Sequence, residues 1–478
     1  MPARPAWRVL LGGLLALTML ALLAPACTTA ESEGCSSARG SGERPTTPNV
    51  LLIVTDDQRG AGTLDVMDFT RKWFAENGTD FPNAFATTPL CCPSRSSIFT
   101  GQYAHNHGVK VNPAIPNLDP ETLIQKRLQD AGYKTGFVGK YFNAWRIKDP
   151  LPYFDRFTFF TPERRTTRDE GAYLDMKFNR DGKRGHVRRY STHYIRDRAL
   201  SYLSRFERQD ERPWFVMVAP YAPHLPATAE PKYERAPVPR FRLNPALRES
   251  DTNDKSDVYP TSENTDAKHS IDDRNAQLRS LMSVDDMVKR FATRLECLGE
   301  TRDTVAIFTS DNGYLWGEHG FSGKGKPYRE SVAVPLLIRW TEGGHPRVDR
   351  RMAANIDLAP TIAEAAGLPQ ESLGHVDGES LTTPGPGRKA LLFEYWSGEK
   401  RPMPGWASIR TNSFQYVEYE TPEGDVVARE LYDLKNDPWQ LENVLRDDDP
   451  SNDPSAARLN LLERRLRVLR TCAGTTCP

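Results

Sequence analysis

A chain of 478 residues, 38% of them hydrophobic, can bury a large core, which excludes a disordered chain and suits one large domain with a smaller companion. Its 63 Lys and Arg balance its 63 Asp and Glu. No overall charge therefore draws it to nucleic acid or to an anionic membrane, and any recognition of an anion has to be local.

In chain order the first element is an export signal. Arg4 and Arg8 precede an apolar run from Val9 to Leu23, and Ala24-Pro25-Ala26 follows as a small-residue cleavage site. The run is short for a membrane span, so residues 1–27 read as a secretory signal, with a retained N-terminal anchor as the alternative. Cys27, directly after Ala26, raises lipid modification of the bacterial lipoprotein kind, although Ala24-Pro25-Ala26 departs from the Leu-small-small pattern usual before such a cysteine. The protein is expected outside the cell, secreted or held at its surface, with membrane contact only through this N-terminus. Residues 28–47, rich in Ser, Thr and Gly without an apolar period, read as a flexible tether.

NVLLIVT (49–55) is nearly continuously apolar, as a strand buried on both faces should be. Leu123, Ile124 and Leu128 predict a helix within 120–133 that ends near Gly132, followed by the strand KTGFVGK. The same helix-then-strand rhythm recurs over 193–220 and over 275–313, where Leu278, Met282, Val288, Phe291 and Leu295 fall broadly on one helical face. Such alternation predicts an α/β fold with a largely parallel sheet covered by helices on both faces, here over residues 48–371. After a helix in 356–369 the rhythm changes. KALLFEYW, WASIRTNSFQYVEYE and VVARELYDL read as antiparallel strands, and 458–470 as a closing amphipathic helix, so 372–478 is expected to form an α+β subdomain.

In open sheets of this kind, function gathers outside the carboxyl ends of the strands. Asp56-Asp57, Gly139-Lys140, Ala222-Pro223-His224 and Ser310-Asp311-Asn312-Gly313 each follow a predicted strand. Any one of them alone reads as a turn; four together weaken that reading. Asp56, Asp57, Asp311 and Asn312 offer only oxygen donors, which suits calcium or magnesium, although singly Asp57 is a helix N-cap and 312–313 an Asn-Gly turn. Arg95, Lys140, His224 and Lys324 add cationic groups, enough with a metal to hold a tetrahedral oxyanion ester. The cysteines are Cys27, Cys35, Cys91, Cys92, Cys297, Cys472 and Cys477. Cys472 and Cys477 can close a small terminal loop, whereas the adjacent Cys91 and Cys92 would pair only in a strained ring and have no zinc-like partners nearby.

Cys91-Cys92-Pro93-Ser94-Arg95, followed by SSIFTG, resembles the sulfatase signature Cys-x-Pro-Ser-Arg with its trailing Thr-Gly. The resemblance runs from Pro48 to Val444 through LLIVTDDQ, AGYKTGFVGKY, PWFVMVAPYAPHLP, VAIFTSDNGYLWGEHG, GKGKPYRESVAVPLLIR, DLAPTIAEAAG and ELYDLKNDPWQLENV, in the family's order. It implies an alkaline-phosphatase-like sheet and a sulfuric ester hydrolase acting on a sulfated small molecule or glycan. It also implies that a separate formylglycine-generating enzyme oxidises Cys91 to an aldehyde. Of the two hydroxyls on the aldehyde hydrate, one attacks sulfur and the other helps eliminate sulfate. The resemblance makes Asp56, Asp57, Cys91, Asp311 and Asn312 the metal ligands, for calcium or alternatively magnesium. Arg95 would hold the formylglycine, Lys140 and Lys324 the sulfate oxygens, and His224 the leaving oxygen. Lys324 is preferred to Lys326 because it stands four places before Tyr328. The sequence departs from many members at Phe142, where they carry a histidine. GKYFN, CCPSR and HNH are closer to the N-acetylglucosamine-6-sulfatase and heparan endosulfatase branch, which makes Asn143 a substrate contact. The competing readings are a phosphate or phosphonate ester hydrolase on the same fold and a catalytically silent carbohydrate-binding surface protein.

Overall fold

The computed structural model describes residues 45–477 except 144, 162–172, 209–210, 250–251, 256–266, 342–346, 399–403 and 448. The export signal with its lipid-modifiable Cys27, and the tether to residue 44, lie outside the described residues.

Among them, a ten-stranded sheet forms the centre of the molecule. Its five middle strands, in spatial order Thr304–Ser310, Asn49–Thr55, Trp214–Ala219, Lys134–Lys140 and Arg156–Phe160, run parallel. The neighbours outside this block, Leu336–Arg339 on one side and Met176–Arg180 on the other, are antiparallel. The largely parallel expectation therefore holds at the middle and gives way towards the edges.

Alternate side chains of a strand face opposite sides of the sheet, and here both sides are apolar. Val50, Leu52 and Val54 join one core with Phe99, Leu128 and Ile362, from the helices Cys91–Thr100, Ile124–Asp130 and Leu358–Ala365. Leu51 and Ile53 join the opposite core with Phe74, Leu203 and Phe291, from Asp68–Glu76, Ser191–Glu207 and Ala267–Leu298. The last of these helices buries Leu278, Val288, Phe291 and Leu295 as its spacing predicts. Met282 is only partly buried, because the observed core stripe passes through Leu281 and Val284 and leaves Met282 at its margin.

The C-terminal region forms a separate antiparallel sheet of Leu391–Tyr395, Gly405–Arg410, Gln415–Glu420 and Val426–Tyr432. The helix Ala456–Leu469 closes it with Leu462, Leu466 and Leu469. Cys472 and Cys477 are disulfide-bonded, as their spacing suggested. The loop they close docks on HNH: the Cys472 carbonyl lies 2.9 Å from His105 Nε2 and accepts from Asn106 Nδ2 at 3.0 Å. Cys91 and Cys92 are free thiols, each buried.

Candidate active site

The register of the sheet brings the four polar clusters to one edge. Thr55 pairs with Ser310 and Gly139 with Ala219, so Asp56, Lys140, the loop bearing His224, and Asp311 all leave the sheet at the same end of adjacent strands. Gly139 is required there. At φ +125° an added Cβ would stand 1.9 Å from the Ala219 carbonyl oxygen, so only glycine lets the strand carry Lys140 so close to its neighbour. Gly313 is equally constrained, since a Cβ would lie 2.2 Å from the Glu330 carbonyl oxygen. Asp57 has φ +66°, in the left-handed region that aspartate tolerates better than most residues. The turn lets consecutive carboxylates converge instead of facing opposite sides.

Cys91 starts the helix Cys91–Thr100, every residue of which is buried. Its Sγ lies 3.8 Å from Asp56 Oδ1 and 3.0 Å from Lys324 Nζ, which also donates to Asp57 Oδ1. Asp56, Asp57, Cys91 and His224 each present a donor atom within 4.8 Å of the others. Asp311 accepts the Asp57 N–H at 3.1 Å and Arg95 Nε at 2.9 Å, while Asn312 Nδ2 donates to Asp57 Oδ1 at 2.8 Å. Arg95 also donates to the Lys140 carbonyl at 2.7 Å, and Lys140 Nζ donates to Asp56 Oδ2. His224 Nε2 stands 3.6 Å from Asp57 Oδ2, and its Nδ1 lies 2.6 Å from the Leu225 carbonyl. All the residues expected to bind metal or sulfate are thus gathered in one place.

Burial pushes the carboxyls of Asp56 and Asp57 up, but neighbouring cations outweigh it. Lys140, His224 and Arg95 hold Asp56 below the ordinary range, and Lys324 and His224 do so for Asp57. Burial pushes Lys140 and Lys324 down, yet the facing carboxylates leave both above their usual value. Burial lowers His224 despite Asp57 and Asp56, and burial raises the Cys91 thiol despite Lys140 and Lys324. The donor set fits a hard divalent cation: two fully buried carboxylates lie side by side, and the buried Asn312 Oδ1 has no hydrogen-bond partner.

Phe142, at the position of the absent histidine, is fully buried among Phe99, Tyr141 and Trp145. Asn143 donates its backbone N–H to Cys92 Sγ at 3.3 Å, and its buried Oδ1 is unpartnered. Lys326 lies against the Phe321 ring at 4.9 Å, whereas Lys324 reaches Cys91. Sequence reasoning missed Asn355, whose Nδ2 donates to Ser94 Oγ at 2.9 Å while its Oδ1 accepts from the Thr87 N–H at 3.0 Å, fixing the start of the Cys91 helix. Nothing in the local sequence signals a contact 261 residues away.

Residues 48–368 match the family model described as Sulfatase, and residues 317–467 match one described as N-sulphoglucosamine sulphohydrolase, C-terminal. The chain belongs to the sulfatase family. This sulfatase is 30% identical to human N-acetylglucosamine-6-sulfatase, over 93% of its own chain and 88% of the relative. It is 25% identical to N-acetylglucosamine-6-O-sulfatase of Bacteroides thetaiotaomicron, over 86% and 84% of the two chains. Its relatives include an extracellular sulfatase homologue of Drosophila melanogaster, 30% identical over 70% of this chain and 31% of that one. A solved structure described as a complex with its substrate D-glucosamine-2-N,6-O-disulfate shares the fold, with TM-score 0.70 and 22% identity, covering 88% and 97% of the two chains. The enzyme is accordingly a sulfuric ester hydrolase with an alkaline-phosphatase-like sheet, and its family implies a divalent metal and formylglycine. Among the described residues no helix is long and apolar enough to cross a membrane.

Proposed function

We propose that this sulfatase removes a sulfate ester from a sulfated amino sugar of the N-acetylglucosamine 6-sulfate kind, using calcium and a formylglycine made from Cys91. The observation that carries the reading is Cys91 at a buried helix N-terminus, between Asp56 and Lys324, with Asp57 and Asn312 completing an oxygen-rich shell. The branch of relatives supports the sugar.

In this reading Asp56, Asp57, Asp311, Asn312 and residue 91 hold the metal, which when bound offsets the sulfate charge. The Cys91 sulfur stands in for the oxygen of formylglycine, whose hydrate supplies the nucleophilic hydroxyl and a second hydroxyl for sulfate release. Lys140 and Lys324 bind sulfate oxygens, and their raised affinity for protons keeps them charged. Arg95 acts as a rigid brace, tied to Asp311 and to the Lys140 carbonyl. With the Leu225 carbonyl engaging Nδ1, His224 has Nε2 free to bind or protonate the leaving oxygen. Asn143 is assigned to the sugar, since its unpartnered Oδ1 can accept from a hydroxyl. A division near residue 372, export by residues 1–27 and modification by a formylglycine-generating enzyme complete the proposal.

The test is the mass of the peptide spanning Cys91, together with turnover of N-acetylglucosamine 6-sulfate before and after exhaustive chelation. An aldehyde in place of the thiol, and loss of turnover restored by calcium, are expected. An active enzyme with a free thiol at Cys91, or full activity when metal-free, refutes it.

A further inference from the structure

The large sheet ends, on the side beyond Arg156–Phe160, in the hairpin Met176–Arg180 and Lys183–Val187. Between residues 175 and 189 the chain carries Lys177, Arg180, Lys183, Arg184, Arg188 and Arg189 against only Asp175 and Asp181, in a protein whose charges cancel overall. The pairing register places Lys177 opposite His186 and Asn179 opposite Arg184. Lys177, Arg184, His186 and, one step past the strand, Arg188 therefore share a face. The other face carries Met176 and Phe178, which belong to the core; the Phe178 ring lies 4.7 Å from Tyr194 of the helix Ser191–Glu207. That face is open along its second strand, where Arg184 is exposed, His186 is 55% exposed and Arg188, one step on, 89%, whereas Asn179 on the first strand is buried and donates to the Ile147 carbonyl at 2.8 Å. Asp175 lies 3.5 Å from His186 Nδ1 and 3.9 Å from Arg188 Nε. Lys177, Arg180, Lys183 and Arg184 have no ion-pair partner among the described residues.

This strip leads towards the active site. Past Arg188 and Arg189 the chain reaches Tyr190, whose ring is 5.9 Å from Tyr173; Tyr173 is 5.5 Å from Tyr221, and Tyr221 stacks on His224 at 4.6 Å. Tyr173 also donates its hydroxyl to the His224 carbonyl at 3.0 Å.

We propose that the Lys177, Arg184, His186 and Arg188 face is a docking strip for a sulfated polysaccharide chain, which it holds while one sulfate ester of that chain enters the site. The choice of a sulfated glycan among polyanions rests on the sulfatase reading above. Residues two apart on a strand are about 7 Å apart, within the ~8 Å screening length of physiological salt, so Lys177, Arg184 and Arg188 act jointly on a chain of fixed negative charges. Each exposed contact contributes little by itself, and several in a row release several counterions. Charged side chains also guard sheet edges against pairing. That guard acts at the free hydrogen-bonding edge, however, whereas these side chains stand on the broad face, where Lys177, Arg184 and Arg188 outnumber Asp175.

The experiment compares the whole enzyme, its K177Q/R184Q/R188Q variant and a control, K72Q/K289Q/R290Q, that removes equal charge at exposed positions elsewhere. The readouts are the salt dependence of binding to immobilised heparin, binding to duplex DNA, and turnover of an aryl sulfate. The strip variant is expected to lose tenfold or more in heparin affinity, with the slope of log affinity against log salt falling by about two to three. Aryl sulfate turnover should stay within about twofold, and the control should bind heparin like the parent. Unchanged heparin binding by the strip variant overturns the proposal. So does an equal loss in the control, which would make the effect one of net charge, or parent binding to DNA as tight as to heparin and equally lost in the variant. Should aryl sulfate turnover be absent from all three proteins, the catalytic reading fails while the heparin comparison still decides the strip.

Discussion

Replacing Lys324 by Met separates the lysine proposed to bind sulfate from its neighbour Lys326. Methionine keeps most of the stem's volume but removes the ammonium that donates to Cys91 Sγ at 3.0 Å and to Asp57. Asp57 then keeps only Asn312 Nδ2 at 2.8 Å and His224 at 3.6 Å as side-chain partners. Loss of one preorganised donor facing developing charge in a buried site is expected to lower kcat by about 10²–10³, or ~3–4 kcal/mol. Lys326→Met removes a buried cation packed 4.9 Å from the Phe321 ring, while the contact to Cys91 Sγ comes from Lys324, so its cost should fall on stability, with kcat within about threefold. The assay is kcat and KM on an aryl sulfate, with the aldehyde content of residue 91 and the circular dichroism spectrum checked in each variant. Lys324→Met retaining kcat within threefold, or Lys326→Met losing as much as Lys324→Met, would refute the assignment.

His224→Ala should slow a sugar sulfate by about 10²–10⁴ and an activated phenyl sulfate less than tenfold, because only the poor leaving group needs the proton; equal losses would remove that role. Cys92→Ala empties part of the apolar core and should cost about 1 kcal/mol of stability while leaving the aldehyde at residue 91 and turnover within about twofold; the urea midpoint and the peptide mass check both. His107, buried with Nε2 3.1 Å from Ser97 Oγ and Nδ1 accepting the Val109 N–H, has its pKa lowered by burial to about 3. Its pKa in the unfolded chain is about 6.5, so the unfolded chain takes up a proton first as pH falls. Stability is therefore complete above about pH 6.5 and lost towards pH 3 at ~1.4 kcal/mol per unit. Urea unfolding at pH 7 and pH 5 should show this loss, and His107→Gln, less stable at pH 7, should show a smaller further decline; an identical decline would assign the acid sensitivity elsewhere.

The site was legible to the extent that it is built from strand ends. Asp56, Lys140, His224 and Asp311 each follow a run whose apolar continuity marks a doubly buried strand, and parallel strands in one sheet place their carboxyl ends together. The family resemblance singled out Lys324 over Lys326 by its distance from Tyr328, and in the structure Lys324 Nζ lies 3.0 Å from Cys91 Sγ while Lys326 lies 4.9 Å from the Phe321 ring. Side-chain direction was not legible. Phe142 reads as a vacancy beside Lys140, yet it is a core residue among Phe99, Tyr141 and Trp145, so the histidine's place is taken by packing rather than by another polar group.

The sequence by itself determined which chemistry the protein carries: apolar period fixes where strands stop, and the residues that follow them are the ones that hold charge. What only the tertiary structure decided lies between distant segments. Asn355 bracing Ser94, the HNH segment docking the loop closed by Cys472 and Cys477, and the exposure of the basic second strand of the 176–187 hairpin all depend on which elements become neighbours. Local periodicity specifies a face and its polarity. It does not specify what covers that face, because neighbours are chosen by the packing of the whole chain.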